Sequence, residues 1–128
     1  MSSAEPPVLG TIAWMDLTVA DAGRVRDFYA AVAGWRPEPV AMGDYNDYVM
    51  IAPESGNPAA GICHARGMNA DLPAQWLAYV LVADLDASLQ RCVELDGAVL
   101  SAVKGGEGHG RYAVIQDPAG AVIALMQP

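Results

Sequence analysis

The chain has 128 residues, with 7 Lys and Arg against 15 Asp and Glu, giving a net charge of −8. That length suits one compact domain with its own core, and 53% hydrophobic against 17% charged residues excludes a disordered chain. The acidic balance argues against nucleic-acid or membrane-surface partners, and two His with two Cys are few soft ligands for a metal.

The start, Met1-Ser-Ser-Ala-Glu-Pro-Pro7, lacks the basic and apolar regions of a secretory signal. The longest apolar run, Trp76 to Ala83, is too short for a membrane span. A cytoplasmic protein is therefore expected. Ile12, Trp14, Met15, Leu17 and Val19 predict a first strand. Asp21 stands where a helix N-cap belongs. Val25, Phe28, Tyr29 and Val32 then repeat at helical spacing, and Gly34 is placed to end the helix. Three strands follow at about Arg36–Met42, Tyr45–Ile51 and Ala59–Ala65, with turns at Gly43-Asp44 and Pro53–Pro58. Residues 66–73 read as a linker.

A second strand–helix unit begins at Trp76–Val82. Asp84 is its cap, Leu85, Leu89, Cys92 and Val93 its apolar face, and Gly97 its stop. Strands at Ala98–Val103, Arg111–Gln116 and Ala121–Met126 follow. Lys104–Gly110 reads as a glycine-rich mobile loop, and Asp117-Pro-Ala-Gly120 as a β-turn. Leu17-Thr-Val-Ala-Asp21 resembles Val80-Leu-Val-Ala-Asp84, and Asp84 and Gly97 follow Asp21 and Gly34 at one common offset. The chain is thus one domain, 1–128, of two βαβββ modules, about 10–65 and 74–127. Cys63 and Cys92 lie in apolar segments and read as buried, reduced thiols; no Cys-x-x-Cys occurs.

Three stretches together carry a resemblance to a known family. They are Trp14–Asp21, Asp27-Phe-Tyr29 with Gly34-Trp35, and Gly110–Asp117 with Pro118-Ala-Gly120. The chain resembles the glyoxalase / bleomycin-resistance / extradiol-dioxygenase (vicinal oxygen chelate) superfamily over nearly its whole length. The resemblance implies an α+β fold, an incomplete eight-stranded barrel around a cavity with the helices outside, and a homodimer. It also implies one metal ligand on the first and last strand of each module. Those positions hold Trp14, Leu77, Ala124 and a residue near Ala60, none a ligand. No metal and no cofactor are expected.

Strand alternation from Trp14 puts Asp16 and Thr18 on the cavity side. The expected ligand-binding set is Trp14, Asp16, Tyr48, His64, Leu77, Tyr79, Ala124 and Met126, with His109 as a lid residue. Asp16 is the candidate catalytic residue, because a carboxylate in an apolar strand is costly without a partner. It could instead be hydrogen-bonded or sit at a wet rim, and Trp14 and Tyr79 could simply fill the core. Arg24 and Arg26 read as solvated helix residues. The first functional expectation is a small aromatic or cationic ligand held without metal. The alternatives are a metal-dependent lyase, isomerase or dioxygenase with a non-standard site using Asp16, His64 and His109, and a non-catalytic structural or regulatory dimer.

Overall fold

The structure is a computed structural model that describes residues 8–106 and 110–128. The described residues contain nine strands and two α-helices, an α+β fold. They divide into two compact units. Module one runs from Trp14 to Trp76; module two comprises residues 8–13 and Leu77–Pro128.

Module one is built on β1 (Ile12–Val19), α1 (Ala22–Ala33), β2 (Arg36–Ala41), β3 (Asn46–Ile51) and β4 (Pro58–His64). The strand order is β2-β3-β4-β1. β4 runs parallel to β1 and antiparallel to β3. The expected helix punctuation holds. The Asp21 carboxylate accepts from the Arg24 N–H at 3.1 Å, and Gly34 ends α1 at φ 76. Only Gly and a few polar residues adopt that left-handed backbone cheaply.

The α1 side of this sheet buries Ala22, Met50 and Ile62, with Val19, Val25, Tyr29, Trp35, Tyr48 and Trp76 packed around them. The Trp76 indole donates to the Tyr29 hydroxyl at 3.0 Å, so both polar tips are satisfied. The apolar helix stripe is narrower than its spacing predicts. Val25 and Tyr29 reach the core, whereas Phe28 and Val32 stay 56% and 67% exposed. Phe28 instead packs its ring edge on Tyr29, 5.1 Å between centroids. Within the predicted linker, Gly67–Asn69 forms a single 3-10 turn.

Module two contains β5 (Trp76–Leu81, entering from Leu77), α2 (Leu85–Glu94), β6 (Ala98–Val99), β7 (Lys104–Gly106), β8 (Gly110–Gln116) and β9 (Val122–Gln127). Its strand path is β5-β9-β8-β6, with β7 also on β8. Among the described residues, no pairing closes either path on itself. Gly10 and Thr11 exchange backbone hydrogen bonds with Leu81, so the segment ahead of β1 is fixed to this module. Asp84 caps α2 by accepting from the Ala87 N–H. The Leu85 N–H, another free donor of the first turn, is taken by the Gln127 side chain at 2.8 Å. Asp117 accepts from the N–H groups of Ala119 and Ala121, which makes the expected turn between β8 and β9.

Three expectations for module two change. The strand at Ala98–Val103 stops after Val99, because the Ser101 hydroxyl takes the Val114 N–H that a strand backbone would have used. Lys104–Gly106 is a strand paired with Gly110–Tyr112, so half of the predicted loop is ladder. Helix α2 is not ended by Gly97. Asp96 takes the left-handed position at φ 70, and Val93 is exposed. Gly97 is required for closeness instead. A Cβ there would lie 2.6 Å from Cys92 Sγ and 3.0 Å from the backbone oxygens of Cys92 and Gln116. Cys63 and Cys92 are free thiols, each of intermediate exposure, where full burial was expected. No helix among the described residues is long and apolar enough to cross a membrane.

Replacing Gly97 by Ala forces the end of α2 away from β8. It should cost about 1–3 kcal/mol of stability, as overpacking does. Urea denaturation followed by circular dichroism measures this, and an unchanged midpoint would contradict it.

Candidate functional site

Register decides which side chains share a face. In module one Asp16 lies beside Gly61 and Thr18 beside Cys63 on the parallel pair. Adjacent residues of paired strands point the same way. Trp14, Asp16, Thr18, Gly61 and Cys63 therefore share one face. On β3 Val49 lies opposite Gly61, so Val49 and Asp47 join it. Leu17, Val19, Met50 and Ile62 point to the other side, against α1.

The centre of the first face is a held carboxylate. The Trp14 indole Nε1–H donates to Asp16 Oδ1 at 2.7 Å, and the pair is half-buried. Beneath it, Gly61 has no side chain. A Cβ on Gly61 would collide with Asp16 Oδ1 and approach the Trp14 Nε1 at 3.4 Å. A glycine within a strand thus marks a close approach, here of a carboxylate to a backbone. Cys63 lies next along the strand. Burial pushes its thiol above the ordinary cysteine range, and the negative charges of Asp16 and Asp47 push it further. Cys63 is therefore a protonated donor at neutral pH, hydrogen-bonded to Asp47.

Two residues expected on this face lie on the other. Tyr48 pairs with Ile62 and packs in the α1-side core. His64 lies beside Val19, on the same side as Ile62. Its backbone N–H donates to Asp47 Oδ1 at 2.8 Å, and its Nδ1 stands 3.4 Å from the same oxygen. Tyr45 meets the imidazole edge-on, with centroids 5.5 Å apart. Arg26, read as solvated, lies over the Tyr48 ring with its guanidinium carbon 4.6 Å from the centroid. Ala60 also points to the α1 side, opposite Met50.

In module two, Tyr79 lies beside Ala124, and Met126 is opposite Tyr112. Leu77, Tyr79, Ala124 and Met126 therefore share a face. It is the face away from α2, whose contacts Gln127 and Arg111 lie on the opposite side. Leu77, Tyr79 and Ala124 are buried, and Met126 is half-buried. Tyr112, absent from the expected set, packs on Tyr79 at 5.7 Å. His109 and Glu107 lie outside the described residues.

A family model described as "Glyoxalase-like domain" matches residues 13–126. The chain belongs to the glyoxalase-like domain family. Among curated relatives, CFP32 of Mycobacterium tuberculosis, provisionally named a glyoxylase, is 31% identical over 123 residues, 92% of this chain and 46% of its own. The anthracycline biosynthesis protein DnrV of Streptomyces peucetius is 30% identical over 120 residues, 94% of this chain and 42% of its own. The chain thus spans less than half the length of these relatives. Among solved structures, a glyoxalase/bleomycin resistance protein/dioxygenase superfamily member from Vibrio splendidus 12B01 shares the fold, with a TM-score of 0.59, 15% identity, and coverage of 90% of this chain and 97% of that one. Methylmalonyl-CoA epimerase from Mycobacterium tuberculosis gives a TM-score of 0.54 at 18% identity, over 89% and 85%.

For this glyoxalase-like domain, no group of three or more His, Cys, Asp and Glu among the described residues is arranged to hold a metal. The side chains that the sequence left unremarked on the Asp16 face are Asp47, Val49 and Cys63. Gly61 was the available signal for them, since a glycine inside an apolar strand asks what lies against it.

The collision at Gly61 makes a coupled prediction. Gly61→Ala should destabilise the protein by about 2 kcal/mol. In an Asp16→Ala background the same change should cost less than about half of that, because the obstructing oxygen is gone. A denaturation double-mutant cycle reads this, and additive costs would contradict it.

Proposed function

We propose that this glyoxalase-like protein binds a small aromatic, cationic molecule on the Trp14–Asp16 face of module one, without a family-type metal. One observation carries the reading: the Asp16 carboxylate is fixed by the Trp14 indole at 2.7 Å. A carboxylate fixed in that way beside an aromatic ring suits a cation flanked by a flat apolar body. Leu77, Tyr79, Ala124, Met126 and Tyr112 offer a similar apolar and aromatic surface in module two. The positions where the family resemblance implies metal ligands hold Trp14, Leu77, Ala124 and a residue near Ala60.

The relative named for anthracycline biosynthesis suggests a probe, since an anthracycline joins a planar ring system to an amino sugar. Its fluorescence should be quenched saturably by the protein. Asp16→Asn keeps an acceptor for the Trp14 indole while removing the charge, and should weaken binding by about tenfold. Equal affinity of the two proteins, or no saturable binding, would sink the reading.

The provisional glyoxylase name of CFP32 favours a second reading, a metal-dependent lyase, isomerase or dioxygenase with a non-standard site. Elemental analysis of the purified protein decides it. His64 and Asp16 lie on opposite faces, so such a site would use one of them. A stoichiometric transition metal lost in Asp16→Asn or in His64→Ala, but not in both, would support this reading, and its absence with no gain of activity on metal addition would remove it. The family's homodimers remain a proposal for this chain, read directly from its mass in solution.

A further inference from the structure

We infer that the α1 side of module one carries a second small-molecule site, separate from the Trp14–Asp16 face, which takes a planar aromatic carboxylate. A depression of about 390 Å³ opens there, lined by Arg26 and Asp27 of α1, Pro37 and Pro39 of β2, and Asn46 and Tyr48 of β3. Its volume matches small-ligand sites. Register accounts for the lining. Pro37 is opposite Met50, and Pro39 is opposite Tyr48. Both prolines therefore share the face of the core residue Met50.

The walls supply apolar, ring-shaped surface at low ordering cost. Proline rings fix the β2 backbone, so this wall loses little freedom when a ligand arrives. β2 pairs only with β3 among the described residues, and prolines on such an edge discourage the addition of another strand. Asn46 stands exposed beside Tyr48 as a further polar group.

Arg26 is the anchor. Its guanidinium lies over the Tyr48 ring, and its Nε donates to Asp27 Oδ1 at 2.9 Å. Those contacts, with a hydrogen bond to Tyr48, hold the fork in place and leave Nη–H groups to meet a carboxylate. Asp27 neutralises part of the guanidinium charge, but an ion pair whose carboxylate is 70% exposed contributes little, so an incoming carboxylate can share or displace it. The ligand's ring lies against Pro37 and Pro39, beside Tyr48. The site is independent of Asp16, which lies on the opposite face of the same sheet.

The test titrates the full chain with naphthoate and with the neutral naphthamide, following amide and side-chain NMR shifts. Naphthoate should bind saturably with a dissociation constant of about 1 mM or tighter. The shifts should centre on Arg26, Pro37–Pro39 and Tyr48, and naphthamide should bind about tenfold more weakly. Arg26→Gln should lose the preference for the acid, while Asp16→Asn leaves it unchanged. Arg26→Lys, which keeps the charge and lacks the fork, serves if the Gln variant does not fold, and should weaken naphthoate severalfold. Any of four results overturns the proposal: no saturable binding, equal binding of acid and amide, no effect of either Arg26 variant, or loss of binding in Asp16→Asn.

Discussion

Asp16 and Gly61 lie side by side in the parallel β1–β4 pairing, and the carboxylate occupies the space a side chain at 61 would need. This contact constrains module one in several ways. It sets the register of β4 against β1, because a slip of one residue would put Ile62 or Ala60 under the carboxylate. It also leaves Asp16 Oδ1 facing the Trp14 indole. The same register sends Ile62 to the α1 side, where it is fully buried with Met50 and Ala22. A polar device on one face and a dry core on the other thus share one strand pairing.

The two faces of this sheet differ in how they handle polar groups. On the α1 side, aromatic rings satisfy one another: Trp76 donates to Tyr29, and Tyr29, Trp35 and Trp76 stack edge to face or tilted. Such pairs add to burial while the Trp76 indole keeps its acceptor; the buried His64 Nδ1 on the same side has no hydrogen-bond partner among the described residues. On the Asp16 face, two carboxylates flank one thiol, whose pKa is raised first by burial and then by their charges. Concentrated negative charge of this kind favours a cationic guest and disfavours an anionic one. The depression beside Arg26 instead combines one guanidinium with one exposed carboxylate, so the two faces of the sheet differ in electrostatic character.

Much of this was legible in the sequence, and the failures have identifiable causes. The caps Asp21 and Asp84, the stop at Gly34 and the turn at Asp117 were readable because each is a local hydrogen-bond or backbone requirement. The repeat offset led to the expectation of two βαβββ modules; the second carries one strand more, β7. The facing of Trp14, Asp16, Leu77, Tyr79, Ala124 and Met126 followed from alternation within single strands. Tyr48 and His64 were placed on the wrong face because their facing depends on the register between strands, which has no local signature. That register also shifts between Met50 and Ile51. The early end of β6 came from a side-chain hydroxyl, Ser101, substituting for backbone. Gly97 was misread because its glycine serves a close approach to Cys92 and Gln116, while Asp96 took the left-handed turn.

If the Trp14–Asp16 pair holds the ligand, the indole resonances report it. In a nitrogen-15 NMR titration with a cationic aromatic, the Trp14 Nε1–H should shift saturably as its acceptor engages the ligand. The Trp76 Nε1–H, bonded to Tyr29 on the opposite face, should stay in place and serve as the internal reference. An unmoved Trp14 resonance in the presence of a bound ligand, or a shift at Trp76 instead, would contradict the account.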